Sequence, residues 1–203
     1  MRNTKNIFLI LVTLCISACS FGNTSEPSRF YTLTTPHIDQ VRGPTKSINV
    51  GIENVSVPQS VDRPQIVVKQ HDSNMMIVSE FDRWIEGLNS ALPVTISENM
   101  NMYAKNINAR PIRNSSDASN SKYLVSIDFV KFETETDNKT TISAWWTVSD
   151  NNGNVLVQKK TTQTADTPEM KSGIPDYDAT VAVFSKLVAK TSYKIADVIS
   201  EIK

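Results

Sequence analysis

The 203-residue chain is poor in the residues that most chemistry needs: it has two cysteines, Cys15 and Cys19, and two histidines, His37 and His71. Metal sites built from Cys and His clusters are excluded by that count. No Gly-x-Ser-x-Gly turn and no glycine-rich phosphate loop occurs, so the usual nucleophile and nucleotide signatures are missing. Charge of one sign is missing too. The 21 basic and 21 acidic residues balance, and no basic cluster marks a nucleic-acid surface. No later stretch approaches the ~20 apolar residues that cross a bilayer as a helix. Internal repeats and low-complexity segments are absent.

What is present begins at the N-terminus. Met1, Arg2 and Lys5 form a small cationic head, followed by the apolar run Ile7–Leu14, the length of a signal-peptide core. Ile16-Ser17-Ala18-Cys19 then places an aliphatic residue and two small ones before a cysteine. This pattern resembles the lipobox of bacterial lipoproteins, in which the thiol is acylated, typically with palmitate, and the chain is cut just before it. Residues 1–18 are thus expected to be a signal peptide and Cys19 the lipidated N-terminus. Subtracting 18 residues from 203 leaves 185, with 19 basic and 21 acidic side chains and a net charge of −2. Cys19 is then the sole cysteine, so no intrachain disulfide forms. Ser20 to Arg29 is polar, with Gly22 and Pro27, and reads as a tether reaching at most ~35 Å. Residues 19–29 are therefore assigned to the lipidated terminus and tether, and 30–203 to one domain.

Within that domain, Phe30–Leu33 is a short strand and Ile48–Val57 a longer one. Ile48, Val50 and Ile52 share one parity and Val55 and Val57 the other, a slip that predicts a β-bulge near Glu53-Asn54. Ile66–Lys69 and Met75–Val78 read as a hairpin. Trp84, Leu88, Leu92, Ile96 and Met100 recur every fourth residue and predict a helix from Phe81 to about Tyr103, interrupted by Pro93. Ile107–Ile112 is a short strand, ended by a loop over Asn114–Ser121. Tyr123–Thr134 carries apolar residues on both parities, Phe129 on one and Val130 and Phe132 on the other, as a strand covered on both faces would. Thr140–Ser149 and Val155–Thr164 form a hairpin around Asp150–Asn154. Ala165–Pro175 is a loop, and Asp176–Ile202 closes the chain as an amphipathic helix capped by Asp176 or Asp178. The order predicts an α+β domain: an antiparallel or mixed sheet with two main helices packed on one face.

Catalytic candidates are thin. Asp176 and Asp178 are explained by capping, and Glu133, Glu135 and Asp137 by a solvated strand end. No catalytic, cofactor-binding or metal-ligating residue is assigned. Two surfaces stand out instead. Trp145 shares its parity with Ser143, Thr147 and Ser149, whereas Trp146 shares the core parity. An aromatic on a polar face is a contact for a partner or lipid, or is covered by a loop. The corner Asp62-Arg63-Pro64-Gln65 either fixes a turn or offers a partner site, with Arg63 able to pair with a carboxylate. Asp62, Arg63, Gln65 and Trp145 are therefore the candidate partner-binding residues.

Further residues recur in a recognisable order: Phe30-Tyr31-Thr32-Leu33, Val57-Pro58, Asp62-Arg63-Pro64-Gln65-Ile66-Val67, Arg83-Trp84, Glu98-Asn99-Met100, Phe132-Glu133, Trp146 and the turn at Gly153. Behind a lipobox, this series resembles the ABC-type transport auxiliary lipoproteins of the PqiC type. Gly87 and Pro93 depart from that family by interrupting a helix it usually keeps regular. The resemblance implies an outer-membrane lipoprotein facing the periplasm, since Ser20 is not the aspartate that retains lipoproteins in the inner membrane. It implies a non-catalytic auxiliary role in an ABC- or MCE-type system moving phospholipids or other hydrophobic molecules between membranes. Expected partners are the membrane, through the lipid, and the envelope transport proteins. A homo-oligomeric ring would suit a conduit component. The alternative is a structural or assembly lipoprotein that binds other envelope proteins without a transport role.

Overall fold

The computed structural model describes residues 26–38, 47–168 and 176–202. The expected signal segment, lipobox and Cys19 lie outside the described residues, as do residues 39–46 and part of the loop expected over 165–175.

Among the described residues, eight strands and three helices follow one another as β1 (Arg29–Tyr31), β2 (Ile48–Ser56), β3 (Gln65–Lys69), β4 (Met76–Trp84), α1 (Leu88–Tyr103), β5 (Ile107–Pro111), α2 (Ser115–Ser119), β6 (Tyr123–Thr134), β7 (Lys139–Asp150), β8 (Val155–Asp166) and α3 (Tyr177–Glu201). The strands divide into two mixed sheets, one of five in the order β5-β2-β6-β7-β8 and one of three in the order β1-β4-β3. β5 and β6 run parallel to β2, and β6-β7-β8 is an antiparallel meander. α1 lies over β2 and β5, α3 lies over β7 and β8, and the two helices pack on each other. The α+β reading with two helices on one face therefore holds, with the strands shared between two sheets.

Inward positions explain the layers. Val50, Ile52, Val55, Val125, Ile127, Phe129, Trp146 and Val148 face Leu92, Ile96, Met100, Val188 and Ile195 in one buried core. A large side chain buried there contributes roughly 1.5–3 kcal/mol. The bulge expected in β2 is present, as the register with β6 shifts between Ile52 and Asn54. A second bulge lies in β6, between Phe129 and Lys131. It turns Val130 outward and returns Phe132 to the inner face, where the opposite parity had been expected. Phe132 there stacks on Phe184 at 4.2 Å and meets Phe129 edge-on at 5.7 Å. Trp84 of the small sheet also reaches Phe184, with ring centroids 6.5 Å apart. This aromatic cluster joins the two sheets.

The helix expected from Phe81 begins later. Residues 81–84 finish β4, because β1 and β3 both hydrogen-bond to it, with Arg29 opposite Asp82 and Gln65 opposite Arg83. Gly87 is the N-cap and supplies no side-chain hydrogen bond, and Pro93 sits within the helix. Trp84 is buried with the stripe, but from the strand. The Asn114–Ser121 loop holds the single turn α2, capped by the Asn114 side chain, which accepts from the Asp117 N–H. Asp176 caps α3 by accepting from the Ala179 N–H at 3.0 Å. The β7–β8 turn forms as expected, with Gly153 at φ +84° and the Asp150 Oδ1 accepting from two turn amides. Gly51 of β2 has no room for a side chain, since a Cβ would lie 2.9 Å from Ser121 Oγ and against Ile112.

Candidate partner surface

Past β2, the corner at 58–65 is fixed by its backbone. The Pro58 carbonyl accepts from the N–H groups of Val61 and Asp62, at 2.9 and 3.1 Å, and the Val61 carbonyl accepts from Arg63 at 2.9 Å. Val61 is buried beneath, and the Pro64 carbonyl accepts from Trp84 N–H at 2.7 Å. Both ends of the corner are thus tied to the core, while Asp62, Arg63 and Pro64 face solvent. Asp62 accepts a 2.6 Å hydrogen bond from the Asn89 side chain, in the first turn of α1. That turn carries no acid of its own, so Asp62 supplies the negative charge favoured at a helix N-terminus. The carboxylate expected for Arg63 is not found among the described residues. Its Nε donates instead to the Gln65 amide oxygen at 3.3 Å. Beside the corner, an open groove of about 460 Å³ runs between the β2 bulge and α1, with Glu53, Asn89, Pro93 and Arg113 on its walls.

Trp145 lies on the face of the five-stranded sheet opposite the helices and is 46% exposed. No described element covers it. Its neighbour Trp146 is buried and donates its indole N–H to Thr161 at 2.9 Å. Directly opposite Trp145 stand Lys160 on β8 and Asp128 on β6, and opposite Asp128 stands Ser56 on β2. Paired positions share a face, so Lys160, Trp145, Asp128 and Ser56 form one row across four strands. The Lys160 ammonium sits 5.6 Å from the Trp145 ring centroid, a cation–π contact, and Ser56 donates to Asp128 at 2.6 Å. Below the row, Ser143 meets Thr162 and Thr141 meets Thr164 at 2.9 and 3.2 Å. Strands are ~4.8 Å apart, so Ser56 lies ~10 Å from Trp145. The corner starts two residues later. The two surfaces singled out separately in the sequence thus lie along one strip. Ser56, Asp128 and Lys160 were not anticipated, because only strand order and register bring them together.

A second arrangement escaped the sequence. Asp82, 3% exposed, accepts from Arg29 Nε and Nη2 at 2.7 and 3.0 Å, from the Tyr31 hydroxyl at 2.9 Å and from Ser79 Oγ at 2.9 Å. Arg29 had been assigned to the tether and Asp82 to a helix, yet both lie on adjacent strands. Burial and then the Asp82 carboxylate push the Tyr31 hydroxyl up to about 12. Both Asp82 carboxylate oxygens are engaged, so this is a structural clasp on the first described strand. Glu133, Glu135 and Asp137 are not simply solvated either. Lys131 reaches Glu133 at 3.1 Å and Glu135 at 3.6 Å, while His71 lies 3.3 Å from Glu135 and 3.2 Å from Asp137.

A family model described as "ABC-type transport auxiliary lipoprotein component" matches residues 31–196. The fold is shared with a Xanthomonas campestris protein of the DUF330 family, with TM-score 0.68 and 16% identity over 85% of this chain and 96% of that one. It is also shared with an uncharacterized protein, with TM-score 0.62 and 17% identity over 86% and 99% of the two chains. The PelC dodecamer from Paraburkholderia phytofirmans is more distant, with TM-score 0.43 and 11% identity over 76% and 92%. Comparison with curated proteins finds no match.

Proposed function

Because the chain belongs to the ABC-type transport auxiliary lipoprotein family, we propose that it is an outer-membrane lipoprotein that docks an envelope transport assembly through the Trp145 strip. Acyl chains on Cys19 hold it to the membrane, and the polar tether lets the domain stand off into the periplasm. Among the described residues no helix is long and apolar enough to cross a membrane, which fits anchoring by lipid. Its partners are ABC- or MCE-type proteins moving phospholipids or other hydrophobic molecules between the membranes. Its role is to bind and orient them, without bond-making of its own.

One observation carries this reading: an exposed tryptophan in a polar row that continues into a backbone-fixed corner. A rigid surface loses little conformational entropy on binding, and tryptophan is among the residues enriched at the energetic centres of interfaces. The test is native purification from detergent-solubilised membranes. The lipidated chain should fractionate with the outer membrane and bring down an ABC- or MCE-type component, and Cys19→Ala should release it to the soluble fraction. Recovery of other envelope proteins alone, with an intact lipid barrier in a deletion strain, would support the assembly-only role instead.

A further inference from the structure

We infer that His71, Glu135 and Asp137 form a binding site for a divalent transition cation of the Zn²⁺ type, which clamps the small sheet to the large one. Their placement follows from two turns that dock on each other. The β3–β4 turn carries His71 and the β6–β7 turn carries Glu135 and Asp137. Between them Lys69 bridges to Glu135 as an isolated β pair, Thr136 N–H donates to the Lys69 carbonyl at 3.0 Å, and His71 N–H donates to Thr136 Oγ1 at 2.9 Å. The backbone holds the three side chains together before any ion arrives.

The spacing suits a metal. His71 Nδ1 lies 3.3 Å from Glu135 Oε2 and 3.2 Å from Asp137 Oδ2, and the three ligand atoms all fall within 4.8 Å of one another. Zinc binds nitrogen and carboxylate oxygen at about 2.0–2.2 Å in tetrahedral geometry, which separates neighbouring ligand atoms by about 3.3–3.5 Å. Two of the three separations thus nearly match a coordinated set, and solvent can supply the fourth ligand.

The surrounding groups orient these ligands. On the far side of the ring, His71 Nε2 lies 3.3 Å from Asp72 Oδ2. A carboxylate on the far nitrogen is the usual companion of a metal-bound histidine. Lys69 and Lys131 approach the other Glu135 oxygen, Oε1, at 3.5 and 3.6 Å, leaving Oε2 directed at the imidazole. At most one ring proton can stand between Nδ1 and the two anionic oxygens, whereas a cation at that point contacts all three atoms. A neutral imidazole with two carboxylates balances a double positive charge. The nitrogen ligand favours Zn²⁺ over Mg²⁺ or Ca²⁺, which prefer all-oxygen shells.

The test is calorimetric titration of the metal-free, lipidated protein in detergent with Zn²⁺. One equivalent should bind, excess Mg²⁺ should not displace it, and the thermal unfolding midpoint should rise. His71→Ala and Asp137→Asn should each weaken binding by at least about 10- to 100-fold, and abolish the shift in midpoint. His37→Ala should leave both unchanged. His71→Asn replaces His71→Ala if circular dichroism shows the alanine variant unfolded. No saturable Zn²⁺ binding, or binding unchanged in the His71 and Asp137 variants, would overturn the site.

Discussion

Asp82 is the residue on which the entry of the chain into the domain depends. Its carboxylate is buried and takes hydrogen bonds from Arg29, Tyr31 and Ser79, whereas the Arg29 side chain is 58% exposed. Asp82→Asn keeps the shape and removes the charge. Arg29 stays hydrated, so solvent screening limits the loss to about 1–3 kcal/mol, read from urea unfolding. Tyr31 reports the same clasp by pH. Its hydroxyl is held at about 12 against an ordinary 10.0, raised by burial first and by Asp82 second. The folded value lies above the unfolded one, so this stabilisation is complete below pH 10 and is lost as pH rises toward 12. Phenolate absorbance, compared between the native protein and Tyr31→Phe, should place the transition there. In Asp82→Asn it should move partway back toward the ordinary value. This clasp was not legible in the sequence, because Arg29 falls just outside the strand read at Phe30–Leu33 and Asp82 falls within the helix read from Phe81, and only the parallel pairing of the two strands joins them. Trp145 was legible, since a tryptophan among serines and threonines of one parity is visible without a partner strand.

Among the elements, α1 carries the clearest built-in weakness. Pro93 sits in its second turn, where its nitrogen cannot donate to the Asn89 carbonyl. Pro93→Ala restores that donor and relieves the ring clash, less the entropy the proline removes from the unfolded chain. The expected gain is about 1–2 kcal/mol, measured as a higher urea midpoint at unchanged slope. The same helix shows why its start was misplaced. Trp84 precedes Leu88 by four residues, so the last core residue of β4 falls on the helical stripe. Strand pairing with β1 and β3, which depends on residues far away in the chain, decides the matter. The two bulges make a similar contrast. The bulge in β2 shows as a parity slip because polar residues flank its apolar ones. The bulge in β6 is hidden because Phe129, Val130 and Phe132 are all apolar, and parity then carries no information. For the same reason the row Ser56–Asp128–Trp145–Lys160 could not be assembled beforehand, since it exists only once strand order and register are known.

At the scale of the whole molecule, α1 and α3 cover one face of the large sheet, and no other described element covers the opposite face around Trp145. The covered face builds the core. The open face is a hydroxyl-rich surface with one aromatic at its centre and a rigid corner at its margin. The proposed lipid anchor would hold such a domain beside a membrane complex while presenting the sheet to it. In the proposed function this face meets the transport assembly. Photo-crosslinking in cells tests it most directly, with a photoreactive residue placed at Trp145 and, as control, at Lys194, which is exposed on α3. Adducts with an ABC- or MCE-type component from position 145, and none from position 194, are the expected result. Adducts with such a component from position 194 alone, or none from 145 in a strain with an intact transport system, would contradict it.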